Sequence, residues 1–285
     1  MTEHGLELVT RDHKQTDTVI AVSPSVAIGN RDVCIIAGPC AVESESQIVE
    51  LAHVLRAAGA TILRGGAFKP RTSPYTFPGL GTKGLTSLRR AGDETGLPVV
   101  TEVMDVGSVE EVEEHADILQ IGSRNMQNYP LLRRVGQCVK PVLLKRGIAA
   151  TLWEWLSSAE YIANGGNLEI ILCERGIRGF DPATRNLFDV TAVPAVKRLT
   201  HLPVIADPSH GTGDRTLVPP MALAAVAAGA DAVMVEVHTH PDNALSDGPQ
   251  SIEPAVFEEL VKRLRLVASA VGRSVLQATK PVHSP

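Results

Sequence analysis

The chain is predicted to be an α/β protein closed into a TIM (β/α)8 barrel with a short N-terminal β-hairpin extension. Three observations predict it. Eight short apolar runs rich in β-branched residues recur along the 285 residues, helix-length amphipathic segments separate them, and polar or charged residues gather just after each run. An open doubly wound sheet would share the alternation. Eight units without a G-x-G-x-x-G turn after the first strand favour closure into a barrel.

The elements follow in order. Residues 1–31 form an extension in which TVIAVSPSVAIGNRD, from Thr18, reads as a hairpin closing the bottom of the barrel, with Gly29 and Asn30 as turn material near its end. The barrel spans 32–272. Its strands are VCIIA from Val33, ATILR from Ala60, PVVTE from Pro98, DILQI from Asp117, PVLLK from Pro141, LEIIL from Leu168, PVIAD from Pro203 and DAVMVE from Asp231. Segments such as ESQIVELAHVLRAAG from Glu45 and DVTAVPAVKRLTH from Asp189 carry apolar residues at helical spacing and end at Gly or before a Pro. In TLWEWLSSAEYIA one of Trp153 and Trp155 is expected to pack and the other to be partly exposed. Residues 273–285 form a C-terminal tail, frayed over QATKPVHSP.

Composition excludes several classes. A chain with 44% hydrophobic and 21% charged residues is an ordinary globular one, and no apolar run reaches the roughly 18 residues of a membrane span. The polar first residues do not read as a secretory signal, so the expected location is cytoplasmic, without membrane association. Cys34, Cys138 and Cys173 have no paired spacing and read as structural thiols. A net charge of −5 without a long basic stretch leaves no footprint for nucleic acid.

In such a barrel the chemistry sits at the C-terminal rim. Cys40, His210, Glu236 and Asp247 each fall where a strand releases the chain. Singly, Cys40 reads as a buried small residue, His210 as a hydrogen-bonded rim histidine and Glu236 as a salt-bridge partner. Together, a thiolate, an imidazole and two carboxylates suit one divalent ion such as manganese, iron or zinc. His238 and His240 are expected behind the ligands or in solvent. Arg64, Lys69, Arg71, Arg124, Lys145 and Arg175 bring six cations to the same rim of a negatively charged protein. Their mutual repulsion implies one or two small, highly charged anions, unless each pairs with a rim acid.

The motifs AGPC, LRGGAFKPRTSPY, QIGSRN, PVLLKRG, ILCERGIR, DPSHGTG, VEVH and ALSDG, running in order from Ile35 to Ser251, resemble those of the type I 3-deoxy-D-arabino-heptulosonate 7-phosphate (DAHP) synthases of the β subgroup. The resemblance implies condensation of phosphoenolpyruvate with erythrose 4-phosphate at the head of the shikimate pathway. It implies a divalent metal on Cys40, His210, Glu236 and Asp247, manganese first, with iron, cobalt or zinc as alternatives. A phosphoenolpyruvate pocket is implied on Arg64, Lys69, Gly122, Ser123, Arg124, Lys145, Arg175 and His210. The erythrose 4-phosphate clamp falls on Lys69, Pro70, Arg71, Thr72 and Ser73. Lys69 is then the expected proton donor to the aldehyde oxygen, and Glu102, or His210 with a metal-bound water, the group handling the attacking water's proton.

The nearest alternative is the sister enzyme that uses arabinose 5-phosphate to make 3-deoxy-D-manno-octulosonate 8-phosphate; the run KPRTS favours erythrose 4-phosphate. A catalytically silent phosphosugar-binding barrel predicts a lost ligand or a lost Lys69, and neither is missing. A paralogue acting on another aldehyde would keep the same barrel. The resemblance further implies a homodimer or homotetramer, and regulation, if any, through a separate partner chain. The chain has no room for the regulatory domains that many relatives carry, so the purified protein is expected to be insensitive to tyrosine, phenylalanine and prephenate. Substantial inhibition by any of the three in a turnover assay would refute this.

Overall fold

A computed structural model describes residues 5–69 and 75–277. A hairpin of β1 (Ile20–Ser23) and β2 (Val26–Ile28) is followed by β3 (Asp32–Gly38), α1 (Glu45–Ala58), β4 (Ile62–Arg64), α2 (Thr82–Thr95), β5 (Val99–Val103), α3 (Val109–His115), β6 (Ile118–Ile121) and α4 (Tyr129–Val135). The second half runs β7 (Val142–Lys145), α5 (Leu152–Asn164), β8 (Ile170–Glu174), α6 (Ala192–Lys197), β9 (Val204–Ala206), α7 (Pro208–Thr212), α8 (Val218–Ala227), β10 (Ala232–Glu236), α9 (Pro254–Ala270) and β11 (Ser274–Val275). Strands β3 to β10 pair in sequence order, and β10 returns to β3 in parallel, Ala232 opposite Cys34 through Glu236 opposite Gly38, which closes the barrel.

Closure buries both faces of every strand, so the alternation is between two apolar environments. Along β3, Val33, Ile35 and Ala37 join the layer between strands and helices, while Cys34 and Ile36 point into the barrel. The interior is filled by Ile62, Val100, Ile118, Leu143, Ile171, Ile205 and Met234 from the other strands. The hairpin caps this interior, because its Ile20, Val26 and Ile28 belong to the same buried cluster. Cys34 Sγ also donates to Ala27 O at 3.3 Å.

The expected hairpin is present, but the chain reverses at Pro24 and Ser25, between the paired Ser23 and Val26. Asn30 instead turns the chain into β3, its Oδ1 accepting from Asp32 N at 2.9 Å. The helix expected from Asp189 is regular only over Ala192–Lys197. The Asp189 side chain accepts from Ala192 N at 3.1 Å before it, and Thr200 is drawn to the N-terminal segment by a bond to Val9 O after it. Trp155 is fully buried, its ring N–H donating to Leu144 O at 3.1 Å, and Trp153 is partly buried. Capping sets the long helices: Ser44 accepts from Gln47 N at the start of α1, and Thr151 and Glu154 form a capping box on α5. Past α9, Ser274 and Val275 pair with Asp32 and Val33, so the chain is tied to the sheet edge there. Among the described residues no helix is long and apolar enough to cross a membrane.

Candidate active site

The parallel register brings the strand ends to one rim, where a cavity of about 400 Å³ opens. Arg64, Lys69, Glu102, Gly122, Ser123, Arg124, Lys145, Arg175, His210 and Asp247, all expected from the sequence, line it. Gln120, Arg178, Arg185 and Asn186 line it too and were not singled out in the sequence. Pro70, Arg71, Thr72 and Ser73 lie outside the described residues.

Three of the four expected metal donors converge. The donor atoms of Cys40, Glu236 and Asp247 all lie within 4.8 Å of one another. Cys40 Sγ is 3.0 Å from both Asp247 Oδ2 and Ser246 Oγ. His210 stands outside that spacing but adjoins it, with Nε2 3.4 Å from Glu236 Oε1. Asp247 is the only non-glycine residue with positive φ among the described residues, at 53°, a conformation Asp tolerates and one often found at functional sites. Gln250, absent from the sequence expectations, bridges the cluster: its Nε2 donates to Glu236 Oε2 at 2.6 Å and its Oε1 accepts from Arg185 at 2.7 Å.

This donor set fits a divalent cation. Burial, reinforced by Glu236 and Asp247, pushes the Cys40 thiol up to about 12. A thiol deprotonates readily in such a place only if a cation joins it. Burial likewise lowers His210 from its ordinary value, against the pull of Asp207 and Glu236, and so favours the neutral ring. Its Nδ1 meets Asp207 Oδ2 at 2.7 Å, so Nε2 presents a lone pair to the Glu236 carboxylate. Two acceptors facing each other beside a thiol and a second carboxylate make an environment that a cation would stabilise.

The cations divide into two groups. Arg64 donates to Glu236 Oε1 at 2.5 Å and Lys145 to Asp207 Oδ2 at 2.6 Å, both inside the protein, so the simple pairing with a rim acid holds for these two. Arg146, which follows Lys145, is consumed by Glu174 and Asp189 at 2.8 and 3.1 Å. Arg124, Arg175 and Arg178 face the cavity without an acidic partner among the described residues, and Ser123 Oγ is buried there without a hydrogen-bond partner. Burial lowers Arg175 from its usual value, against the pull of Asp207 and Glu174. Such a wall of unpaired donors is built to receive an anion.

Lys69 sits between the two groups. Its Nζ donates to Cys40 O at 3.0 Å, and Gly66 leaves room for it: a Cβ there would lie 2.7 Å from Cys40 O and 3.1 Å from Nζ. Burial would lower the ammonium's pKa, but Cys40 and Glu236 raise it above the ordinary lysine value. Across the cavity Glu102 accepts from Gln120 Nε2 at 3.4 Å and lies over Gly122, where a Cβ would come within 2.0 Å of Glu102 Oε1. A side chain at Gly122 would displace the Glu102 carboxylate from this position. His238 is buried, its Nε2 3.4 Å from Glu43, whereas His240 is exposed. Cys34, Cys138 and Cys173 are free and buried away from the donor cluster.

The chain is similar to known proteins along most of its length. A model for the DAHP synthetase I family matches residues 13–271. A phospho-2-dehydro-3-deoxyheptonate aldolase of Thermotoga maritima is 53% identical over 269 residues, which cover 94% of this chain and 79% of that protein. A 2-dehydro-3-deoxyphosphooctonate aldolase of Nitrobacter hamburgensis is 34% identical, over 86% of this chain and 93% of its own. The crystal structure of the Thermotoga maritima phospho-2-dehydro-3-deoxyheptonate aldolase (DAHP synthase) aligns with a TM-score of 0.93 at 51% identity, covering 96% of this chain and 80% of that one.

Proposed function

Because the chain belongs to the DAHP synthetase I family, we propose that it condenses phosphoenolpyruvate, erythrose 4-phosphate and water to 3-deoxy-D-arabino-heptulosonate 7-phosphate and phosphate. This is the first step of the shikimate pathway. The observation that carries the reading is one cavity in which unpaired guanidinium groups and an unpartnered buried Ser123 hydroxyl stand beside a cluster of cation donors. The catalytic unit is the barrel of residues 32–272, with 1–31 as its N-terminal extension and 273–285 as a tail.

Arg64, Lys69, Gly122, Ser123, Arg124, Lys145, Arg175 and His210 form the phosphoenolpyruvate pocket. Lys69, Pro70, Arg71, Thr72 and Ser73 hold erythrose 4-phosphate. The arginines act chiefly by holding two mutually repelling anions in register, which turns a meeting of three molecules into a reaction within one assembly. A divalent cation held by Cys40, His210, Glu236 and Asp247, manganese by preference, would supply Lewis-acid polarisation of the aldehyde carbonyl. The methylene carbon of phosphoenolpyruvate attacks that carbonyl, and the Lys69 ammonium gives its proton to the developing alkoxide oxygen. The adjacent carbon gains positive character and takes water, whose proton passes to Glu102. Phosphate then leaves by carbon–oxygen cleavage.

The test is phosphate release and 3-deoxy-ulosonate formation from phosphoenolpyruvate with either erythrose 4-phosphate or arabinose 5-phosphate, with EDTA and after manganese is restored. Turnover is expected with erythrose 4-phosphate alone, lost in EDTA and recovered with manganese. Turnover of arabinose 5-phosphate would move the chain to the chemistry named for the Nitrobacter hamburgensis relative. Absence of turnover with both aldoses would overturn the proposal.

A further inference from the structure

Asp207 follows β9 directly and caps α7, its Oδ1 accepting from His210 N at 3.0 Å. The carboxylate is wholly buried. Its Oδ2 is shared between Lys145 Nζ at 2.6 Å and His210 Nδ1 at 2.7 Å. We propose that Asp207 is a positioning residue that fixes the proton of His210 on Nδ1 and aims the Nε2 lone pair at the Cys40, Glu236 and Asp247 cluster. The inference rests on the cation site described under the proposed function.

Three features carry it. An ionised carboxylate only accepts hydrogen bonds, so a neutral imidazole at 2.7 Å from it must donate through Nδ1. The Lys145 ammonium on the same oxygen keeps Asp207 ionised, and therefore unable to take the ring proton for itself. The backbone bond from His210 N locks the carboxylate to the turn that carries the ring, so rotamer and tautomer are set together. The side chain itself lines neither the cavity nor the donor cluster; it reaches the cluster through His210 and the cavity wall through Lys145.

Asp207→Asn keeps the size of the side chain and removes its charge. Three readouts apply to cation-free protein and to manganese titration. In ¹⁵N-histidine spectra of the cation-free wild type, the His210 signal, identified by its loss in His210→Gln, is expected to show the Nδ1–H tautomer. In Asp207→Asn it should shift towards Nε2–H. Free manganese followed by electron paramagnetic resonance should show affinity about 10- to 100-fold weaker in the variant. Thermal unfolding of both cation-free proteins separates this from a general loss of structure. A wild-type His210 carrying its proton on Nε2 overturns the inference whether or not the variant folds. Equal manganese affinity in wild type and a folded variant overturns it while leaving the cation site standing. A wild type that retains no manganese overturns the cation site itself, and the inference with it.

Discussion

Replacing Lys69 with methionine is expected to lower kcat by about 10²- to 10⁴-fold, the range typical of a removed general acid. Methionine keeps an unbranched stem in the groove that Gly66 leaves open, so the packing changes little. What disappears is the ammonium that donates to Cys40 O at 3.0 Å. The Glu236 carboxylate helps keep that ammonium protonated in spite of burial, so a proton is at hand beside the reacting aldehyde. Lys69→Arg should not restore the rate, because a guanidinium keeps its proton. Steady-state kinetics with both substrates, alongside thermal unfolding, checks this. A variant with kcat within tenfold of the wild type would remove Lys69 from the proton-transfer role.

Glu236→Gln is expected to destabilise the fold by about 3–5 kcal/mol, as when one partner of a buried ion pair is removed. Glu236 is fully buried and holds Arg64 at 2.5 Å, while Gln250 donates to its other oxygen at 2.6 Å. The amide of glutamine satisfies one of these donors at most and sets an N–H against the other. Arg64 is then a buried cation with no ion pair among the described residues. Manganese binding should fall in the same variant, since a carboxylate of the donor cluster is lost.

The pH dependence supplies a second check. Burial would raise the Glu236 pKa, but His210, Arg64 and Lys69 outweigh it and hold the group at about 2. A folded-state value below the ordinary 4.5 means that the group stabilises the fold above about pH 4.5 and loses that contribution as pH falls towards 2. The contribution is about 3 kcal/mol. Urea unfolding of cation-free protein at a series of pH values should therefore show a shallower acid loss of stability in Glu236→Gln than in the wild type. Parallel curves for the two proteins would sink the assignment of this carboxylate as the acid-sensitive group.

The barrel was legible because its signals are local. Each strand reads from a few consecutive residues, and the alternation of Cys34 and Ile36 with Val33, Ile35 and Ala37 is already present in VCIIA. The rim was legible for the same reason: the residue after a strand is placed by the strand itself. Thus Arg64, Lys145 and Glu236 fall at strand ends in the structure as the runs indicate. The hairpin turn was not, since Pro24–Ser25 and Gly29–Asn30 are both acceptable turn material and only the pairing of Ile20 with Ile28 distinguishes them. Arg185 and Asn186 lie well beyond β8, and they return to the cavity because Ile177 and Leu187 bridge the loop upon itself. No local pattern announces such a return.

The sequence by itself determined the strand and helix order, the rim positions of Cys40, His210, Glu236 and Asp247, and the excess of cations above them. Those features depend on period and on position relative to a strand end, which are properties of short segments. Only the tertiary structure decided which cations are spent on acids and which stay open to an anion. Arg64 meets Glu236 across 172 residues, Lys145 meets Asp207 across 62 and Cys40 meets Asp247 across 207. Charge pairing falls off within a few ångströms of contact, so it is settled by how the closed barrel brings distant strand ends together.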